Sequence, residues 1–138
     1  MIRPSSAFLS ISLAAMASVS VASPRDDLLA RFASEARAAD PAFTTFTATR
    51  GQSLHRARHA GGKPDTPACT ACHGEDARAA GRTRTGKAIE PMAASATPAR
   101  YTDPAKVEKW FKRNCNEVLG RECTPREKGD WLAYMMNQ

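Results

Sequence analysis

The sequence is poor in aromatic residues, with two tryptophans, two tyrosines and five phenylalanines among 138 residues. A chain of this length forms one small domain, and so few large side chains supply only a modest hydrophobic core. Beyond residue 22 it also lacks any apolar run long enough to cross a membrane. Its 20 lysines and arginines are scattered rather than clustered, which argues against nucleic-acid binding. The net charge of +6 only weakly favours an acidic partner or membrane surface.

The N-terminus has the composition of a secretory signal peptide. A short positive start ending at Arg3 precedes a run of apolar and small residues from Ala7 to Val21, and Ser20 and Ala22 suit a cleavage site. The run is too short and too rich in alanine and serine for a membrane span. An uncleaved amphipathic helix is the alternative, but the run has no polar face. We predict that residues 1–22 are a signal peptide removed on export to the periplasm.

Cysteine and histidine are scarce, at four and three residues, yet two cysteines and one histidine stand together. Cys69, Cys72 and His73 form the sequence C-x-x-C-H, which attaches a c-type haem. Two thiols at this spacing can bond to the two vinyl groups of the porphyrin, and the following histidine is then placed under the iron as proximal ligand. The motif predicts one covalently attached haem c, which would supply the centre of the core that the chain otherwise lacks.

Two other kinds of site use a C-x-x-C sequence. A redox-active dithiol fits a thioredoxin-like βαβ pattern, but no alternating strand pattern precedes Cys69. A zinc site needs a second pair of thiolates or histidines at short spacing, whereas seven residues separate Cys115 from Cys123. Both alternatives therefore fit less well than haem attachment.

Capping residues and apolar spacing predict an all-α fold. The first helix is predicted from Ser23 to about Ala39, and a second, short helix over 51–59 with Leu54 facing inward. Residues 74–98 are predicted to be mostly irregular. We divide the chain into the signal peptide at 1–22, an N-terminal helical extension at 23–50 and a cytochrome c domain at 51–138.

The last third of the chain has the clearest helix signals. Asp103 and Pro104 open one helix and Gly120 ends it. Thr124 opens a final helix through a capping box. That helix carries Trp131, Leu132, Met135 and Met136.

Asn114 is a polar residue on the predicted apolar face of the first of these helices. The other members of that face are Val107, Trp110, Phe111 and Val118. A buried amide without a partner costs about 1 to 3 kcal/mol, so Asn114 needs one. The haem iron and a backbone carbonyl are both candidates, and the spacing alone leaves both open. In an oxidising compartment Cys115 and Cys123 should form a disulfide, since the haem uses the other pair.

Other side chains could supply the sixth ligand of the iron. Met92 follows His73 by only 19 residues, whereas a distal ligand usually arrives from a later part of the chain. Met135 and Met136 lie on the last helix and are predicted to face the protein core. His55 and His59 precede the haem motif and are predicted to be exposed helix residues. The sequence excludes none of these candidates.

The haem motif and three further segments together resemble the sphaeroides haem protein (SHP) family of small exported monohaem cytochromes c. These segments are KPDTP at 63–67, RTRTGK at 82–87 and EKWFKRNC at 108–115, and the likeness continues through GRECTP at 120–125. The resemblance implies a class I cytochrome c fold with a haem-centred core, to which the predicted N-terminal helix is an addition. It implies that Asn114 is the sixth ligand of the ferric iron, beside a Cys115–Cys123 disulfide, and that it leaves on reduction.

The same resemblance implies what the protein does. Dioxygen, nitric oxide or another small ligand would bind at the position that Asn114 leaves, and electrons would be exchanged with a dihaem cytochrome c and a membrane cytochrome b. Trp110 and Phe111 are expected to pack in the haem pocket. Two other functions stay open: a simple electron carrier with a permanent methionine or histidine ligand, and an enzyme resembling a peroxidase or nitric oxide dioxygenase. No distal acid–base pair can be placed from the sequence, so no catalytic residue is assigned.

Overall fold

The structure, a computed structural model, describes residues 22–138. These residues contain five helices and one short hairpin. The elements are α1 (Pro24–Ala39), α2 (Ala48–Arg56), α3 (Thr70–His73), β1 (Gly81–Arg82), β2 (Ala88–Ile89), α4 (Pro104–Leu119) and α5 (Pro125–Met136). The two strands are antiparallel, with Gly81 opposite Ile89. No helix within this range is long and apolar enough to cross a membrane. The predicted signal peptide lies outside the described residues except for Ala22.

Side-chain caps start the long helices where the sequence predicts. The Ser23 hydroxyl accepts a hydrogen bond from the Asp26 backbone N–H, and the Asp26 carboxylate accepts one from the Ser23 N–H. Thr124 and Glu127 form the same reciprocal pair at the start of α5. Gly120 ends α4 with a φ of 71°, in the left-handed region that favours glycine. The predicted all-α fold class is confirmed, with the two short strands as an addition.

The second helix differs from its prediction. It runs from Ala48 to Arg56 rather than over 51–59, because Thr47 accepts a hydrogen bond from the Arg50 backbone N–H and caps it earlier. Its buried residues are Gly51 and His55, whereas Leu54, predicted to face inward, is only half-buried. The prediction that His55 is exposed was wrong, since its side chain is completely buried. The cause is the close packing of this face of α2 against α5.

Aromatic rings from three helices meet in the core. Phe32 on α1 packs edge-on against Phe111 on α4 with ring centroids 6.0 Å apart, and Phe111 packs edge-on against Trp131 on α5 at 5.5 Å. The Tyr101 ring also packs edge-on against Trp131, with ring centroids 6.0 Å apart. Helix α1 therefore shares one core with α4 and α5. The division between an extension at 23–50 and a domain at 51–138 stays a prediction.

Helix α4 buries a face that is rotated from the predicted one. Its buried residues are Val107, Phe111, Cys115 and Val118. Trp110 was predicted on this face, but the residue is 44% exposed. Consecutive helix residues are about 100° apart, and the buried face extends from Phe111 toward Cys115, away from Trp110. Asn114 is half-buried at the edge of the buried face. Asn114 therefore lies between the buried and the exposed faces of α4.

The ion pair at the start of α5 predicts a pH-dependent stability. Arg121 bonds both carboxylate oxygens of Glu127, at 2.7 and 2.8 Å, and these hydrogen bonds lower the pKa of Glu127. The pair therefore stabilises the fold above the ordinary glutamate pKa of about 4.3, and this contribution is lost as the pH falls through the lower folded-state pKa. We expect Arg121→Met to lower the free energy of unfolding at pH 7 by about 0.3 to 1 kcal/mol, with no difference once Glu127 is protonated.

Unfolding titrations with urea at several pH values measure this difference in the free energy of unfolding. The control is Lys112→Met, because Lys112 lies 3.9 Å from Glu122 and both side chains are more than half exposed. Equal losses in the two variants would contradict the prediction.

Candidate functional site

One helical turn places the three residues of the C-x-x-C-H motif on the same side. Cys69 is the N-cap of α3, so Cys72 and His73 follow it at the i+3 and i+4 positions. The turn ends at Gly74, whose φ is 71° and whose N–H donates to the Thr70 carbonyl at 3.0 Å. Neither cysteine is disulfide-bonded, and both are half-buried. Two cysteines beside an imidazole are the set of side chains that the motif predicts.

Burial disfavours the thiolate form of both cysteines. Burial raises the pKa of Cys69 to about 11. Burial also raises the pKa of Cys72, and the nearby Glu117 carboxylate adds to the shift. Two thiols followed by an imidazole fit the residue pattern of covalent haem attachment.

His73 is neutral and poorly partnered. Burial lowers its pKa to about 4, and the neighbouring His55 and Arg100 add to this effect. Its Nδ1 is buried without a hydrogen-bond partner, and none of the side-chain hydrogen bonds within residues 22–138 involves its Nε2. A neutral imidazole with its nitrogens free of protein partners can donate a lone pair to a metal. His73 therefore fits the role of an axial haem ligand.

His55 is buried directly behind this turn. Its Nε2 lies 3.1 Å from the Gly74 carbonyl oxygen, and its Nδ1 lies 3.2 Å from the indole nitrogen of Trp131. The rings of His55 and His73 have centroids 6.4 Å apart. Burial lowers the pKa of His55, so it too is neutral. Because both of its nitrogens are hydrogen-bonded, His55 is a neighbour of the motif and its nitrogens are not free for a metal.

The loop before the motif lies against the C-terminal end of α4. The Lys63 backbone N–H donates to the Glu117 carbonyl at 2.8 Å, and the buried Thr66 hydroxyl donates to the same oxygen at 3.4 Å. A Cβ at Gly62 would meet the carbonyl oxygens of Glu117 and Val118. The chain that enters the haem motif is therefore attached one turn beyond Asn114 on α4.

The two asparagines of α4 have different environments. Asn116 is exposed and its amide donates to the Lys112 carbonyl at 2.6 Å. Asn114 is half-buried, and among the described residues no side-chain hydrogen bond involves it. A half-buried amide without a protein partner is free to bond a group from outside the protein core. The backbone carbonyl that the sequence left open as its partner is not found among residues 22–138.

The two predicted pocket aromatics take different positions. Phe111 is buried among the rings of the core. Trp110 is exposed, and the Arg113 guanidinium lies 5.4 Å from the centroid of its ring. Their role in a haem pocket stays a prediction.

The alternative sixth ligands are packed or hydrogen-bonded. Met92 and Met135 belong to the hydrophobic core, and Met136 packs partly against it. The partly buried His59 has its Nε2 3.3 Å from the Leu54 carbonyl. Together with His55, each of these side chains already has a place within the protein.

Cys115 and Cys123 are paired in the structure. Their sulfurs are bonded and their Cα atoms lie 5.5 Å apart. The pair joins the last turns of α4 to the segment that follows Gly120. This bond fixes the backbone immediately after Asn114.

The sequence analysis missed the contacts that α2 makes with α5. Asp130 is buried, and its carboxylate accepts hydrogen bonds from the Arg50 guanidinium at 2.7 and 2.8 Å. His55 was missed for the same reason. Gly51 could have indicated that His55 is buried. A glycine four positions before His55 lies on the same face of the helix, and a residue without a side chain there allows close helix packing.

The chain matches a family described as a domain of unknown function (DUF1924) over residues 41–135. It is similar to the cytochrome c-type protein SHP of Cereibacter sphaeroides, with 58% identity over 104 residues, which cover 75% of this chain and 78% of that protein.

Solved structures give the same likeness. The structure of oxidised SHP, described as an oxygen-binding cytochrome c, has a TM-score of 0.77 and 52% identity, and the match covers 84% of this chain and 97% of that one. The solution structure of cytochrome c'' from Methylophilus methylotrophus has a TM-score of 0.72 and 30% identity, covering 83% and 93%. That structure is described as giving insight into haem-ligand detachment. The predicted cytochrome c fold is thereby confirmed.

The contact between Gly62 and α4 predicts a sensitive position. We expect Gly62→Ala to lower the free energy of unfolding by about 1 to 3 kcal/mol, because its Cβ would collide with rigid backbone carbonyls of α4. The fraction of protein with covalently bound haem should fall as well. Denaturant titration and haem absorbance against protein concentration measure the two effects. Ala60→Ser, at an exposed position of the same loop, is the control and should change stability by less than about 0.5 kcal/mol; equal effects would contradict the prediction.

Proposed function

This chain belongs to the family of the cytochrome c-type protein SHP, and on that basis we propose that it binds a small ligand when Asn114 is released on reduction. The cofactor is one covalently attached haem c, which supplies an iron that changes between Fe(III) and Fe(II). Cys69 and Cys72 hold it through thioether bonds, and His73 is the proximal ligand. The small ligand is dioxygen, nitric oxide or a molecule of similar size.

The observation that carries this proposal is the environment of Asn114. Its amide is half-buried at the edge of the α4 core face and has no side-chain hydrogen bond among the described residues, whereas the amide of Asn116 has one. The loop that leads into the haem motif contacts α4 one turn later, at Glu117. This supports Asn114 as the side chain directed to the haem from α4.

Amide chemistry explains why such a ligand would be released. An amide oxygen is a hard, neutral and weak donor, which Fe(III) tolerates and the softer Fe(II) binds poorly. A thioether sulfur has the opposite preference. Release of Asn114 on reduction would therefore leave a position for a small ligand, while a methionine in the same place would hold it closed.

We further propose that the mature protein is exported and keeps the Cys115–Cys123 disulfide in the oxidising periplasm. Its electron partners would be a dihaem cytochrome c and a membrane cytochrome b. The net charge of +6 for the whole chain is compatible with an acidic surface on either partner.

The disulfide predicts a measurable contribution to stability. We expect the double variant Cys115→Ser with Cys123→Ser to lose about 2 to 3 kcal/mol of unfolding free energy, because the unfolded chain is no longer constrained by the closed loop. Guanidinium titration of the haem-containing protein measures the loss. Wild-type protein treated with a thiol reductant should show the same loss, and a double variant as stable as the untreated wild type would contradict the prediction.

Optical spectroscopy of Asn114 variants tests the release of the ligand. We expect Asn114→Ala to change the ferric spectrum, and we expect dithionite-reduced wild-type protein to bind carbon monoxide. Asn114→Met should weaken carbon monoxide binding by about 100-fold if the thioether occupies 99% of the reduced protein, because the apparent dissociation constant rises as the open fraction falls. Asn116→Ala, two residues further on the exposed side of α4, is the control and should match wild type.

The proposal is contradicted if Asn114→Ala leaves the ferric spectrum unaltered and the reduced wild-type protein does not bind carbon monoxide. The simple electron carrier would then be the better account. Turnover assays with hydrogen peroxide, and with nitric oxide in the presence of dioxygen, decide whether the same site also acts as an enzyme.

A further inference from the structure

His55 has a hydrogen-bonding pattern that fixes its protonation state. The indole nitrogen of Trp131 can only donate a hydrogen bond, so the His55 Nδ1 that lies 3.2 Å from it must be the unprotonated acceptor. The proton of the neutral ring is then on Nε2, which lies 3.1 Å from the Gly74 carbonyl oxygen and donates to it. The side chain is completely buried, so water does not compete for either bond. The two partners thereby select a single tautomer.

These bonds connect α5 to the residue after the proximal histidine. Trp131 holds the His55 ring, the ring holds the Gly74 carbonyl, and Gly74 is covalently joined to His73. Gly74 has a φ of 71°, a conformation that its own N–H bond to Thr70 supports from the other side. The backbone at the end of α3 is therefore held by hydrogen bonds from two directions.

His73 itself has no comparable anchor. Metal-binding histidines usually donate their second ring N–H to a carbonyl or carboxylate, which fixes the orientation of the ring. The Nδ1 of His73 is buried, and it finds no such partner within residues 22–138. The orientation of its imidazole is then set by the backbone on which it stands and by packing, including the His55 ring at 6.4 Å.

We propose that His55 is a positioning residue, which fixes the orientation of the His73 imidazole toward the haem iron by holding the Gly74 carbonyl. His55 acts through the backbone and is not itself a ligand. The inference rests on haem attachment at His73, but it does not depend on the release of Asn114.

The test uses the full haem-containing protein and four variants. His55→Leu removes both hydrogen bonds. His55→Gln keeps an N–H donor that can reach the Gly74 carbonyl. Trp131→Phe removes the donor to Nδ1 and keeps an aromatic ring against Phe111 and Tyr101. Tyr134→Phe is the control, because the Tyr134 ring packs 5.8 Å from His55 and the described residues show no hydrogen bond between the two side chains.

Two measurements report on the orientation and donor strength of His73. The g-values of the ferric electron paramagnetic resonance spectrum depend on the orientation of the axial imidazole. The ratio of ferrous to ferric protein at a fixed ambient potential depends on the donor strength of the ligand. For His55→Leu we expect altered g-values and a ratio changed about ten-fold, which corresponds to about 59 mV for one electron. Trp131→Phe should shift both in the same direction by less, His55→Gln should return both toward wild type, and Tyr134→Phe should leave both unchanged.

Wild-type g-values and ratio in a folded His55→Leu protein with full haem content would overturn the proposal. The same effects in His55→Gln as in His55→Leu would also overturn it, because packing rather than hydrogen bonding would then be responsible. If His55→Leu does not fold, Trp131→Phe decides, and a wild-type result there overturns the proposal. The failure of Asn114 as a ligand would instead be seen in the Asn114→Ala spectrum, with these shifts still present.

Discussion

The backbones of helices α2 and α5 are in direct contact, and the position of the haem motif depends on this contact. A Cβ at Gly51 would collide with the Asp130 carbonyl, so the absence of a side chain lets the two backbones meet. The Arg50 guanidinium satisfies the buried Asp130 carboxylate at the same junction. One turn along α2 from Gly51, His55 consequently reaches α5, and its other nitrogen holds the end of the haem motif.

A second backbone contact joins the motif to the helix that carries Asn114. The glycines at 61 and 62 lie against the carbonyls that end α4, and Gly120 turns the chain away in a left-handed conformation beside Gly61. Residues with side chains could not approach so closely. The two proposed axial ligands thus stand on separate elements, α3 and α4, which are linked by backbone rather than by flexible side chains.

A rigid frame of this kind suits a weak ligand. An amide oxygen contributes little binding energy of its own, so a small misplacement would be enough to lose it in both oxidation states. The Cys115–Cys123 pair constrains the backbone beside Asn114, and the contacts of Phe111 with α1 and α5 hold α4 one turn earlier. Under the proposed function, the valence of the iron rather than the mobility of α4 then decides whether Asn114 is bound.

The sequence by itself determined the features that depend on neighbours close along the chain. These are the C-x-x-C-H turn, the capped starts of three helices, the glycine that ends α4 and the cysteine pair eight residues apart. Only the tertiary structure decided that His55 is buried and Trp110 exposed, because both outcomes follow from how helices rotate against distant partners. The partner of His55 lies 76 residues away, and the periodicity of a nine-residue helix that contains a glycine is too weak to indicate which face that partner will cover.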